Sequence, residues 1–161
     1  MNTLMRDLLH THGLDPFSPI SHLDPGLQAI VSRGLSEHDG CWLLTELFHP
    51  ESSTPRSAFP DDTGYEAFIN HVHLDDVIDV ASGELSKHLL KQGIAYAHAL
   101  RELATPAGAF RIVLSVEATE PLNLGVRILR RRPGEGWLSN DLEQYREHAV
   151  LVIDTPAAGQ A

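Results

Sequence analysis

Residues 71–76 read His71-Val72-His73-Leu74-Asp75-Asp76, two imidazoles two positions apart followed at once by carboxylates. On an extended strand side chains alternate between faces, so His71 and His73 project from one side with Cβ atoms roughly 7 Å apart, and Asp75 continues that side. Three such ligands could converge on one divalent cation, which is the chemistry of a small metal-dependent hydrolase. His10 and His12 share the spacing but lie in a helical pattern, where rings two residues apart point about 200° from each other and cannot chelate together. Ten histidines are scattered along the chain, so a pair at i and i+2 arises easily by chance.

The string at 71–76 resembles the HxHxDH motif of metallo-β-lactamase-fold hydrolases over six residues. It departs at Asp76, where that motif has the histidine of the second metal, and 161 residues are short for that fold's two βα halves. Amidohydrolases also open with HxH, but their barrel needs about 250 residues. The hydrolase built on His71, His73 and Asp75 therefore stands as the alternative reading, and no metal ligand is assigned. Other reactive groups lack a setting. Cys41 is flanked by Trp42, Leu43, Leu44, Leu47 and Phe48, the surroundings of a buried, inert thiol. Ser115 and Ser139 lack a G-x-S-x-G context, and Gly134-Glu135-Gly136 marks only a turn. No catalytic residue and no cofactor follow.

Charge is the broader signal. Residues 1–86 carry fourteen acidic side chains against Arg6, Arg33 and Arg56, whereas 87–161 carry eight against nine Lys and Arg, so the halves have net charges of −11 and +1. An acidic lobe repels phosphate backbones and attracts basic partners. Arg130-Arg131-Arg132 is too short a basic run to be a nucleic-acid footprint in a chain of net charge −10, and no aromatic residues interleave with it. It reads as a solvated strand end or as a set of partners for Glu135, Asp141 and Glu143, with Arg131 pairing one of them. Asp61-Asp62 in the long loop, and Asp75, Asp76 and Asp79 where the His-rich strand ends, are the acidic clusters best placed for contact, and the loop position favours the first, since loops on a rigid scaffold commonly carry recognition. The opening residues lack a basic leader and a long apolar core, and no run approaches the roughly 20 apolar residues of a membrane span. With a single cysteine, these features lead us to expect a cytoplasmic protein without membrane contact.

Several elements must position these groups. Leu4, Met5, Leu8 and Leu9 predict a short amphipathic helix over 3–12, stopped at Gly13. Asp24-Pro25 predicts a second helix start, whose stripe runs through Leu27, Ile30, Val31 and Leu35 to a stop at Gly34 or Gly40. Residues 41–48 are apolar on all sides and fit a buried strand or a helix equally. Residues 49–64 read as the longest loop, 68–74 as a strand covered on both faces, and 83–104 as the longest helix, capped by Ser82 and weakened at Gly93. Alternation over 110–117 and 124–129 about a turn at 119–121 predicts a β-hairpin. A short helix at 140–147 and a strand at 149–153 follow. Helices and strands segregated in this way predict a single α+β domain over residues 1–161, with an antiparallel sheet built from that hairpin and further strands and packed with helices.

The stretch from Val126 contains Arg127, the run Arg132-Pro133-Gly134-Glu135-Gly136-Trp137-Leu138, then Asp141-Leu142-Glu143-Gln144-Tyr145, and a terminal apolar strand ending Asp154-Thr155. Together with Phe68-Ile69-Asn70-His71-Val72-His73-Leu74-Asp75, it resembles immunity proteins of contact-dependent growth inhibition systems, the group that neutralises ribonuclease-A-like toxin domains. The resemblance covers roughly 65–155 and departs after Arg127, where Ile128-Leu129 stand in place of an aromatic-His pair. It implies a non-enzymatic, cytoplasmic inhibitor whose partner is a basic, ribonuclease-like toxin domain, with no direct contact to nucleic acid. The expected toxin contacts are Asp61, Asp62, Asp75, Asp76, Asp79 and, as an aromatic anchor, Trp137. A core position beneath the hairpin is the other reading of Trp137, and an adaptor or structural subunit is the third functional class.

Overall fold

The computed structural model describes residues 1–18, 22–51, 54–79, 87–117 and 123–156. Helix α1 (Thr3–His12) starts at Asn2, whose side chain accepts from the Met5 amide, and stops at Gly13, whose φ of 59° lies in the left-handed region. Helix α2 (Pro25–Arg33) begins behind the Asp24 cap with proline in its first turn, as its sequence predicts. The chain then departs from expectation. Leu35 does not extend α2; it opens strand β1 (Leu35–His38), which pairs antiparallel with β2 (Cys41–Leu44). Asp39 and Gly40, at φ 51° and 84°, supply the two positive angles of a tight hairpin turn.

The alternating run at 68–74 is also divided differently. Helix α3 (Asp62–Ile69) absorbs Phe68 and Ile69, and strand β3 is only His71–His73. The Asp61 side chain caps the helix by accepting from Gly64 N, so helix replaces the end of the expected loop. At the other end, the Asn70 side chain accepts from Leu44 N and donates to the Trp42 and Ile128 carbonyls, fixing the junction between β2 and the main sheet. A 3-10 turn, Leu74–Asp76, follows β3 directly.

Helix α4 (Lys87–Ala104) is the longest; the expected Ser82 cap and first turn at 83–86 lie outside the described residues. Strands β4 (Phe110–Glu117) and β5 (Asn123–Arg130) form the expected hairpin, whose turn at 119–121 is likewise outside them. Only a 3-10 turn, Leu142–Gln144, forms where a short helix was expected, and β6 (His148–Asp154) ends the sheet. The order is β3-β5-β4-β6 with every neighbouring pair antiparallel, an α+β architecture.

Period two sorts the sheet's side chains. Phe110, Ile112, Leu114 and Val116 of β4, with Leu124, Val126 and Ile128 of β5 and Leu151 of β6, are buried in one core with Leu89, Leu90, Ile94 and Leu100 of α4. Gly93 permits this packing, because a β-carbon there would stand 3.0 Å from the Leu114 and Leu124 methyls. Glycine in mid-helix thus exchanges helix propensity for close approach to the sheet. The opposite face carries Arg111, Val113, Ser115 and Glu117, then Gly125, Arg127 and Leu129, then His148 and Val150. No helix of the described residues is long and apolar enough to cross a membrane.

Candidate functional site

Antiparallel register builds a polar cleft on the face opposite α4. His71 stands beside Arg127, and Arg127 beside Val113; His73 stands beside Gly125, and Gly125 beside Ser115; Glu117 lies between Asn123 and His148. Residues 131–147 return across this face. Trp137, Leu138 and Tyr145 close a cavity of ≈ 210 Å³ over Val113, Ser115, Arg127, His148 and Val150. A second hollow of ≈ 100 Å³, lined by His71, Ser115, Glu117, Asn123, Arg127 and His148, shares three of those residues. Both are smaller than the roughly 300–1,000 Å³ of clefts that hold drug-sized ligands, so the space suits a single small group.

The hydrogen bonds within the cleft assign its protons. A guanidinium only donates, so the 3.1 Å bond from Arg127 Nη2 makes His71 Nδ1 an acceptor and leaves the neutral ring's proton on Nε2. That Nε2 is buried without a partner. His73 Nδ1 donates to Asn123 Oδ1 at 2.8 Å. Burial, then the charge of Arg127, then His73 push the His71 pKa down to about 3, so the ring is neutral at ordinary pH. Burial also lowers the Arg127 pKa. Among the described residues, Arg127 has no carboxylate partner. The Trp137 ring lies over it instead, 5.0 Å from guanidinium carbon to ring centroid.

The expected contact residues divide into two groups. Asp61 is occupied as the α3 cap, and the Asp62 carboxylate receives Arg56 Nε at 2.7 Å. Its hydrogen bond with Arg56 holds Asp62 below the usual carboxylate range. Asp75, Asp76 and Asp79 are exposed and form no hydrogen bond or ion pair with any described residue. Trp137, 38% exposed, belongs to the cleft roof rather than to the core beneath the hairpin.

The His71 and His73 rings do share a face, with centroids 3.9 Å apart. Asp75 does not join them, because β3 ends at His73 and the following 3-10 turn breaks the alternation. Among the described residues, no three His, Cys, Asp or Glu side chains are grouped to hold a metal ion. Cys41 is fully buried, and burial, then the nearby Asp62 charge, raise its pKa to about 11.

Sequence reasoning missed Arg127, Ser115, Glu117 and His148 as one group, since only strand register brings them together. It also missed Glu66. This fully buried carboxylate receives Arg132 Nη2 at 2.6 Å and the amides of Trp42 and Arg130 at 2.6 Å each. Glu66 therefore ties α3 to β2 and β5, and Arg132 is its internal partner, bonded also to the Gly40 carbonyl at 2.9 Å. Arg131 pairs with Asp154 at 3.7 Å rather than with Glu135, Asp141 or Glu143. No curated protein and no solved structure matches the chain. One family model matches residues 1–160, nearly the entire sequence, and the chain belongs to the Uncharacterized protein PM0498 family.

Proposed function

We propose that this protein is an inhibitor without catalytic activity of its own, an immunity protein that occludes the basic nuclease domain of a contact-dependent inhibition effector. The observation that supports this reading is the state of Asp75, Asp76 and Asp79. They are exposed at the end of the edge strand β3 and have no partner among the described residues. Unpaired carboxylates at a sheet edge can substitute for RNA phosphates in a basic cleft, steering association and competing with substrate. Trp137 lies over Arg127 of β5, the strand next to β3, and serves in this reading as the aromatic anchor. Asp61 and Asp62 are engaged within the fold and take a minor part.

The test mixes the purified protein with the basic C-terminal domain of the effector encoded beside its gene. A stoichiometric complex that stops RNA cleavage is expected, with an on-rate that falls as salt shortens the Debye length from about 30 Å at 0.01 M to about 8 Å at 0.15 M. Unchanged cleavage in the presence of excess protein would overturn the reading, as would the lack of any effector gene beside this one.

A further inference from the structure

The bonds already made in the cleft consume its acceptors and leave its donors. His71 Nδ1 is taken by Arg127, which leaves Nε2–H buried and unpartnered. Asn123 Oδ1 is taken by His73, and its amide NH2 has no partner among the described residues. The Tyr145 hydroxyl oxygen accepts from Ser139 N at 2.9 Å, which leaves its O–H to donate. Ser115 and His148 line the same space, and their side chains form no bond with any described residue. Arg127 commits only its bond to His71 out of the five N–H groups of a guanidinium. Glu117 is the one carboxylate in the lining; it lies across from His148 and makes no ion pair with Arg127.

A half-buried guanidinium without a counterion is costly to maintain, and in a chain with 22 acidic side chains a carboxylate partner was readily available. We propose that the cleft beneath Trp137 binds a small oxyanion, a phosphate or carboxylate group, held by the Arg127 fork and completed by donors from Ser115 and Tyr145. Planar, forked donors match both groups, and the guanidinium charge strengthens each bond. Trp137 lies over the guanidinium and covers one side of it. The site rests on the cleft and not on Asp75, Asp76 and Asp79; it shares Trp137 alone with the proposed toxin contact.

Trp137 is also the reporter. In a Trp42→Phe chain it is the only indole, and its fluorescence is titrated with inorganic phosphate and, separately, acetate, with chloride at matched ionic strength as control. A saturable response to phosphate or acetate, absent with chloride, is expected, and the tighter of the two identifies the anion class. Arg127→Gln should abolish it. Ser115→Ala, which removes a single hydroxyl and keeps the charge, should weaken it about fivefold. A response equal for all three salts, no response into the high millimolar range, or saturation untouched by both substitutions would each overturn the proposal. If Arg127→Gln does not fold, Ser115→Ala and a Tyr145→Phe chain decide it in the same way.

Discussion

No β-carbon fits on Gly125 without displacing the His71 imidazole, whose Nε2 is the atom it would meet first. The ring reaches from the edge strand across its neighbour, so a glycine in the middle of β5 is the condition for the cleft's left wall rather than a weakness of the strand. Gly125→Ala should cost about 1–3 kcal/mol, the usual effect of overpacking, read as a lower urea midpoint. Adding His71→Ala should recover most of that loss. If the single variant is as stable as the parent, the ring has another resting place.

The depressed His71 pKa has a definite sign in stability. The folded value is about 3 against an ordinary 6.5, so between those values the unfolded chain takes up a proton that the folded chain refuses. The stability contribution is complete above 6.5, declines as pH falls through that window, and levels off below about 3. Melting of the parent and of His71→Gln near neutrality and in the middle of the window measures it. The parent should lose more stability on acidification than the variant; equal losses would mean that His71 titrates normally.

Glu66 and Arg132 are the other sensitive pair. Removing the charge with Glu66→Gln leaves the largely buried Arg132 guanidinium with only the longer 4.0 Å ion-pair contact to Glu135 and should destabilise the fold by about 3–5 kcal/mol. Replacing both, as Glu66→Gln with Arg132→Met, should restore part of the loss. Chemical denaturation distinguishes this from a loss under about 1 kcal/mol, which would show that the pair behaves as an exposed one.

What was legible in the chain follows from range. Gly13 and Asp24-Pro25 bound helices through neighbours within a few residues, and the alternation over 110–117 needs only its own period, so these elements were readable. Asp39-Gly40 is an equally local turn signal, yet the apolar run behind it obscured the β1–β2 hairpin. The border between α3 and β3 was not readable, because Glu66 and Asn70 settle it through bonds to β2 and β5. Counting carboxylates along the sequence could not separate Asp61 and Asp62, which the fold uses, from Asp75, Asp76 and Asp79, which bond to no described residue. The cleft was hidden for the same reason, since His71, Ser115, Arg127 and His148 are neighbours only by register.

That division gives a test that separates contact from fold. Asp61→Ala should cost about 0.5–2 kcal/mol through the lost helix cap and leave toxin binding nearly intact. Asp75→Asn with Asp76→Asn and Asp79→Asn should shift stability by less than about 0.5 kcal/mol and weaken binding. Thermal melting and toxin affinity measured together decide it. Full affinity in the triple variant would remove this edge from the interface.

Asn2 is bonded to the far end of the chain. Its amide donates to the Val150 carbonyl at 3.0 Å, and its side chain accepts from Val150 N at 2.9 Å and donates to the His148 carbonyl at 2.7 Å. The helix it caps has 10 residues, below the roughly 12–15 at which an isolated helix becomes even marginally stable. During synthesis, therefore, α1 leaves the ribosome well before the strand that holds its start in place. Until β6 has emerged, Met5 and Leu9 remain unsheltered on the nascent chain, a surface open to chaperones and to aggregation.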